Sequence, residues 1–392
     1  MGRPNMTLPV RLGLYYAAIF IGTGASSPYL PVWFADRGLS GAQIGLILSL
    51  PMIARVVTAP LLAIWADSFA LRRTALVLLG CATTAAYALM ALPLGFGGWM
   101  VVWFAASSMY STLSPLADVI VLARARRDGF NYGWPRGIGS AAFIVGNIGA
   151  GAMMTWGSAD LVLVWMVAAV ALTSLAARFL LPPDPVHEEG EVQGVRDRMA
   201  GLSDLLRQPS FMTAVVAAGL IQSAHAFYYA FSTLAWRAQG ISEAVTGVLW
   251  AVGVAVEIIF MWFLEPWRRA LGPRRLLALG GAAAVIRWTA LAFSPPLWAL
   301  FPLQALHALS YAATFLASLH LVEAMSTPRN ASTAQAINSA LSGGILAGLA
   351  TLGSGWLFDG WGAKGYLAMT AMSAAGLAGA LWLVAVERRA RA

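Results

Sequence analysis

Apolar residues in this chain come in unbroken runs of roughly 20, the length that crosses about 30 Å of hydrocarbon as a helix. They do not show the every-second-residue alternation of half-buried strands. Lipid offers backbone N–H and C=O groups no partners, so runs of this kind must be helices that satisfy themselves internally. The runs place spans at 10–35, 42–66, 74–97, 99–123, 137–157, 160–181, 210–235, 243–264, 275–296, 298–322, 331–357 and 363–386. The pattern predicts an all-α membrane protein of twelve transmembrane helices. The first span follows Arg3 and Arg11 as a signal peptide would. It is too long for a signal-peptide apolar region, however, and runs into Pro28 and Trp33 with no cleavage site, so it reads as a helix of the mature chain.

Composition agrees: 59% of the 392 residues are hydrophobic and 11% charged, against about 25% charged in soluble domains. The charges carry the topology. Loops on the amino-terminal side hold 20 of the 25 basic residues, among them Arg72, Arg73, Arg124, Arg126, Arg127, Arg268, Arg269, Arg274 and Arg275. The opposite loops hold Arg37, Arg237 and Lys364, and Arg55 and Arg287 lie inside spans. The positive-inside rule puts both termini in the cytoplasm of a bacterial inner membrane, as an even span count requires. Trp33, Trp99, Trp156, Trp236, Trp298 and Trp361 fall near the outer span ends and read as an interfacial belt. Topology thus accounts for the pI near 10.1, and no basic patch with interleaved aromatics suggests nucleic acid. A single cysteine, Cys81, excludes an internal disulfide and a cysteine-based metal site.

One long polar stretch, 183–208, divides the chain. It opens on Pro182-Pro183-Asp184-Pro185 and carries Glu188, Glu189 and Glu191 before a basic tail with an expected amphipathic helix near 196–207. The domains read as an amino-terminal six-helix bundle (1–182), a cytoplasmic linker (183–208) and a carboxy-terminal six-helix bundle (209–392). The halves repeat. Gly38-Leu39-Ser40 with Gly45 recurs 202 residues later as Gly240-Ile241-Ser242 with Gly247. The same offset sets Arg55 on Glu257, Arg72-Arg73 on Arg274-Arg275 and Asp118 on His320, and a weaker echo joins Gly149–Gly157 to Gly353–Gly362. Two parallel repeats predict pseudo-symmetric bundles around a central cavity.

The layout resembles the major facilitator superfamily over essentially the whole chain. That superfamily's loop 2–3 motif survives in part as Asp67 with Arg72 and Arg73, without its glycines. A closer resemblance is to the phenylpropionate permease-like branch, related to lactose permease. It rests on Tyr15-Tyr16 through Ser26-Ser27-Pro28-Tyr29, Tyr132-Gly133-x-x-Arg136-x-x-Gly139-Ser140 and Ser223-x-His225-x-x-Tyr228-Tyr229. Leu249-Trp250-Ala251 with Glu257, Arg287-Trp288 and Gln304-x-Leu306-His307 complete it. Glu257, Arg287 and His307 match by type and span the Glu, Arg and His of lactose permease. The acid expected three residues after the histidine is Ser310 here.

Ionisable groups at membrane depth are costly and are kept for a cavity or a partner. Here they are Arg55, Asp118, Glu257, Arg287, His225 and His307. Glu257, near the middle of its span, is the expected proton-coupling carboxylate with Arg287 as its electrostatic partner; a static pair that fixes packing is the bland alternative. Arg287 could instead hold an anionic solute in a bidentate fork. Arg55 is a second positive wall. His225, Tyr228, Tyr229, Gln304 and His307 offer hydrogen bonds and ring faces for substrate binding. Asp67, Arg72 and Arg73, which can pair across the halves, and Asp118 with Arg136 form expected gating contacts.

Enzyme signatures are absent: no Gly-x-x-x-x-Gly-Lys-Ser/Thr loop, no His-Glu-x-x-His, no Gly-x-Ser-x-Gly. No cofactor or metal is expected. The expected partners are a small-molecule substrate, protons and membrane lipid, with no nucleic acid, and the chain is expected to be a monomer. The favoured function is a secondary active transporter importing a small aromatic or carboxylated solute with protons by alternating access. An antiporter exporting drugs or metabolites differs only in coupling direction. A membrane enzyme or sensor would need a reactive cluster at one leaflet, whereas the polar residues lie at mid-depth.

Overall fold

The computed structural model describes residues 6–186, 202–327 and 330–391. Its helices are α1 (Leu8–Ala35), α2 (Gly41–Asp67), α3 (Arg72–Leu89), α4 (Gly95–Asp128), α5 (Gly133–Trp156) and α6 (Asp160–Phe179). They continue with α7 (Leu202–Arg207), α8 (Pro209–Ser223), α9 (Ala226–Ala238), α10 (Glu243–Phe263), α11 (Glu265–Leu271) and α12 (Pro273–Ala292). Last come α13 (Leu297–Ala305), α14 (Thr314–Ala324), α15 (Ala331–Ser339), α16 (Ala347–Trp361) and α17 (Tyr366–Arg391). Among the described residues there is no named strand; an isolated bridge joins Leu71 and Pro185. Nine described stretches are long and apolar enough to cross a membrane. One of them, Thr333–Arg389, covers two of the expected spans, and α3 and α4 fall outside the nine.

Most expected boundaries fall within a few residues of these helices; the third span ends early. α3 stops at Leu89, and the turn to α4 is closed by Trp99, whose Nε1 donates to the carbonyls of Met90 (3.0 Å) and Leu92 (3.2 Å). That bond, with Pro93 in the turn, ends a run that hydropathy alone extends to 97. Three expected spans are irregular in the second half. The seventh breaks between Ser223 and Ala226. The tenth and eleventh each contain a π segment, Ala308–Ala313 and Ala340–Leu346.

The repeat is visible in the backbone. Gly38 and Gly240 both take positive φ (81° and 78°), a region open to glycine because it has no Cβ. The bonds around them match at the same offset: Leu39 N to Phe34 O (3.2 Å) and Ile241 N to Trp236 O (3.0 Å), then Ile44 N to Ser40 O and Thr246 N to Ser242 O (both 2.9 Å). α2 and α10 start 202 residues apart, as do α4 and α13. The offset then drifts. Gly355 lies against Gly41 as Gly151 lies against Glu243, a spacing of 204. Two π segments intervene, and a π turn closes over one more residue than an α turn. The drift therefore corrects the alignment of Asp118 with His320, which lies beyond the first π segment.

Contacts divide the chain into two compact units. One comprises Met1–Leu39, Val57–Gly190 and Ser242–Ala251, the other Ser40–Val56, Glu191–Ile241 and Val252–Ala392. In the first, α1 packs on α5 and α6, and α3 on α4 and α6, around Leu12, Tyr15, Ile19, Leu76, Leu113 and Ile120. In the second, α17 packs against both α8 and α12. Thus α2 and α10 each divide, their amino-terminal portions clustering with the unit opposite to the rest of the helix.

Close approach explains those portions. A Cβ on Gly45 would lie 3.0 Å from Gly355 Cα and from the Thr351 carbonyl. The first turn of α2 has no acid of its own. Ser40 and Gln43 form a capping box (Ser40 N to Gln43 Oε1 3.0 Å, Gln43 N to Ser40 Oγ 3.3 Å). Asp359 of α16 takes the remaining amides, from Gly41 at 2.7 Å and Ala42 at 2.8 Å. In α10, Tyr29 Oη instead donates to the carbonyls of Glu243 (2.9 Å) and Asn147 (3.1 Å).

The linker's beginning is strapped to the first unit. Arg124 forms a two-pronged pair with Asp184, with Nε 2.8 Å from Oδ2. Arg72 donates to the carbonyls of Pro185 (3.1 Å) and Val186 (2.7 Å), and Arg73 to Leu181 (3.3 Å). Residues 187–201, including Glu188, Glu189 and Glu191, lie outside the described residues. α7 follows them, its Leu205 buried against Phe211, Val215 and Val322.

The tryptophan belt needs correction. Trp156 and Trp298 are 91% and 75% exposed and Trp361 is exposed as well, whereas Trp33, Trp99 and Trp236 are buried. Trp33 donates from Nε1 to Asp160 and lies under the Arg37 guanidinium (3.7 Å), so its place is set by that cluster.

Candidate functional site

A buried polar network gathers where the second unit's helices lose regularity. Arg287 on α12 is fully buried and aims its fork at three acceptors. NH1 lies 2.7 Å from His307 Nδ1 and 3.3 Å from Ser310 Oγ, and NH2 lies 2.8 Å from Gln304 Oε1. Tyr228 Oη donates to the same Gln304 oxygen at 3.0 Å. The Tyr228 and Trp288 rings each lie 4.6 Å from the guanidinium carbon, so the cation sits against two π faces.

Proton positions follow from what each atom can do. A guanidinium only donates, so His307 Nδ1 must accept, and the neutral ring then carries its hydrogen on Nε2. That Nε2 lies 2.9 Å from Glu257 Oε1, on an approach too bent to count as a hydrogen bond. His225 Nδ1 faces the carbonyls of Ile221 (3.2 Å) and Gln222 (3.0 Å), so it must donate there. Its Nε2 then accepts from Ser310 Oγ at 3.1 Å. His307 is therefore held as a neutral ring, and the neutral form of His225 carries its hydrogen on the opposite nitrogen.

This corrects the expected Glu257–Arg287 pair: His307 stands between the two, one ring nitrogen toward each. It also limits Arg287, whose two terminal nitrogens are already engaged and whose faces are covered. Tyr229 packs beside His225 and His307. Ser310 and Tyr311, the latter stacked on His307 at 5.2 Å, were not singled out from sequence. In the sequence Ser310 is only a departure from the lactose permease pattern; its place in the π segment beside Arg287 is what the sequence does not signal.

The first unit holds its own cluster. Asp118 on α4 accepts from Tyr16 Oη and from Tyr132 Oη (2.9 Å), with Arg136 NH1 3.7 Å away. Arg136 also donates to Ser114 Oγ at 2.7 Å and lies over the Phe20 ring at 4.6 Å. Tyr16 was legible only as part of a motif, because nothing in sequence spacing ties α1 to Asp118. Arg55 lies fourteen residues into α2, as Glu257 does in α10, and is exposed. Asp67 is exposed. Among the described residues, no group of three or more His, Cys, Asp or Glu could hold a metal.

A nearly all-helical, apolar chain with its polar groups gathered at helix breaks is the construction of a solute pathway. The profile of the MFS_1 like family matches residues 9–368. The chain belongs to the MFS_1 like family. Its relatives are transporters. It is 28% identical over 372 residues to a protein of Escherichia coli (strain K12) named "Probable 3-phenylpropionic acid transporter", covering 93% of this chain and 95% of that one. It is 29% identical over 353 residues to the maltose permease of Geobacillus stearothermophilus, covering 89% and 87%. The solved nucleoside transporter NupG superimposes with a TM-score of 0.77 at 17% identity, over 97% of this chain and 99% of that one. That likeness shows the fold. This MFS_1-like chain is a multi-pass membrane transporter of a small-molecule substrate, and not an enzyme.

Proposed function

We propose that the chain is a proton-coupled importer of a small organic solute, aromatic or carboxylated, working by alternating access in a bacterial inner membrane with both termini cytoplasmic. The observation that carries the coupling is the Arg287–His307–Glu257 relay. Glu257 is the carboxylate of that network and its side chain is more exposed than that of His307, 15% against 7%. With the carboxylate ionised, the Arg287 charge is compensated through the imidazole. Protonation of Glu257 removes that compensation, so an arriving anion and an arriving proton favour one another's binding, the reciprocal linkage that symport requires. Arg287 is here a positioning group that fixes the His307 tautomer. The contacts of Asp118, Tyr16, Tyr132 and Arg136 make a separate polar cluster within the first unit.

The aromatic-acid relative supports the solute class and the maltose relative supports a small organic solute more broadly. The test uses proteoliposomes without an imposed gradient. Adding 3-phenylpropionate outside should make the external medium alkaline as protons enter with solute. Acidification would show exchange and overturn symport.

A further inference from the structure

We propose that Arg55 is the anion-recognition residue of this transporter, reading a single carboxylate on the solute, so that the transported class is organic monocarboxylates. This rests on the transport reading above and deepens it. Two arginines, Arg55 and Arg287, lie in the middle of membrane-spanning helices. Arg287 is closed off from a carboxylate in this structure, its unpartnered Nε buried with the rest of the side chain. It is fully buried, both terminal nitrogens are engaged by His307, Ser310 and Gln304, and two rings cover its faces.

Arg55 is its opposite on each count. It is exposed, and among the described residues no hydrogen bond, ion pair or ring contact holds its guanidinium. It sits fourteen residues along a helix that rises about 1.5 Å per residue, roughly 21 Å from its start.

The direction of that side chain follows from the helix itself. Val57, Leu61 and Ile64 are 61%, 59% and 68% exposed and recur at four- and three-residue spacing, which marks the lipid-facing stripe. Met52, Ile53 and Val56 form the face toward α16 and the π segment before it: Met52 receives the Thr351 hydroxyl, and Ile53 and Val56 meet Gly348 and Gly344. Arg55 lies two residues before Val57, about 160° around the helix from it at 100° per residue. It therefore shares a face with Leu62 and Ala66, of which Leu62 packs against the first unit's core and Ala66 is buried.

An exposed guanidinium on the face turned away from lipid opens on a polar space, because an unpaired charge is not kept against hydrocarbon. An open arginine fork without an internal partner matches the planar, bidentate geometry of a carboxylate. Its one positive charge suits a monoanion. Linkage to the proton then needs no movement of Arg287. Neutralising Glu257 removes one negative charge from the unit, and the bound monoanion restores it.

The experiment measures binding of matched acid and amide pairs to the purified full-length chain in nanodiscs, at fixed pH and salt. The pairs are 3-phenylpropionate with 3-phenylpropanamide, and benzoate with benzamide. Wild type should prefer at least one acid over its amide by about 10- to 100-fold, the worth of charge-assisted hydrogen bonds. R55Q should lose that preference, the acid's affinity falling about 10- to 100-fold more than the amide's. R55K should keep part of it, because an ammonium retains charge but not the fork.

The idea is overturned if wild type binds neither acid, if it does not distinguish acid from amide, or if R55Q retains full preference. The wild-type comparison stands even where R55Q does not fold. Proton movement coupled to uptake of maltose or an amide, together with no acid preference, would sink the Arg55 assignment and leave proton-coupled transport standing. Acid binding that depends on Arg55 without any coupled proton movement would do the reverse.

Discussion

Glu257→Gln isolates the coupling step, because the side chains match in size and glutamine mimics the protonated acid. The relay of Glu257, His307 and Arg287, with Gln304, Ser310 and His225 beside it, contains one carboxylate, so one proton is expected per solute. With the interior one pH unit more alkaline, one proton supplies about 1.4 kcal/mol, a tenfold accumulation. If the solute is a monoanion, no net charge moves, and a superimposed 100 mV, worth about 2.3 kcal/mol per charge, should add nothing. A neutral solute would gain a further factor of about 50 from the same potential. In the glutamine variant the accumulation ratio should fall to about 1 while counterflow exchange of preloaded solute continues. The substitution also leaves Arg287 without its counter-charge. Because an imidazole separates the two, the stability cost should fall below the about 3–5 kcal/mol of breaking a direct buried pair. Uptake of radiolabelled 3-phenylpropionate into proteoliposomes, with pH and potential clamped separately, reads all of this. Tenfold uphill accumulation by the variant would remove Glu257 from coupling and leave it a packing contact.

Arg287→Lys cannot reach His307 and Gln304 together, so it should cost about 1.5–3 kcal/mol per lost charged hydrogen bond, lower the unfolding temperature and weaken coupling more than exchange. Unchanged thermal unfolding and proton-to-solute ratio would show that the fork is not what holds His307. Asp359→Ala leaves the Gly41 and Ala42 amides without their acceptor, at about 1–3 kcal/mol for each that water does not reach, and Asp359→Asn should fall between it and wild type in the unfolding temperature followed by tryptophan fluorescence. Arg124→Ala frees Asp184 and should speed proteolytic cleavage within 183–208 while uptake is retained; equal cleavage rates in both proteins would mean that the strap does not hold the linker.

The sequence made the helical class and the duplication legible because both are long-period signals. Twenty-residue apolar runs and one constant offset survive local noise, and Gly38 with Gly240 anchored the register through a backbone requirement that glycine meets most easily. The residues of the second unit's network were also legible, since ionisable groups in apolar spans stand out by cost. Their pairing was not. Spacing gives the depth of Glu257, Arg287 and His307 but not which ring nitrogen faces which neighbour, so a direct Glu257–Arg287 pair was expected where His307 intervenes. The charges of Arg72 and Arg73 suggest acidic partners, whereas they bind backbone carbonyls of Leu181, Pro185 and Val186, acceptors that composition cannot reveal. Trp33 and Trp99 failed as belt residues for a similar reason: each indole found a partner inside the fold.

The irregular helices show how the network is supported. A break or a π turn inside an apolar helix frees carbonyls that lipid cannot satisfy, so the protein must supply donors. The last residues of α8 do so in sequence order. Gln222 Nε2 donates to Tyr311 O in the first π segment (3.1 Å), and Ser223 Oγ donates to Ser342 O in the second (3.1 Å). His225 Nδ1 covers the carbonyls of Ile221 and Gln222 at the break itself. Three neighbouring polar residues therefore serve three helix irregularities, and the last of them also receives Ser310 from the relay. The helices of the first half that match these, α1, α4 and α5, are continuous, and they lack both the π segments and the histidines. Since the halves began in register at α2 and α10 and drift by two residues only after the π segments, each extra residue was accommodated within a helix instead of in a loop. The second half thereby has the irregular backbone at which His307, Ser310 and Gln304 converge on Arg287, while the first half has continuous helices around Asp118.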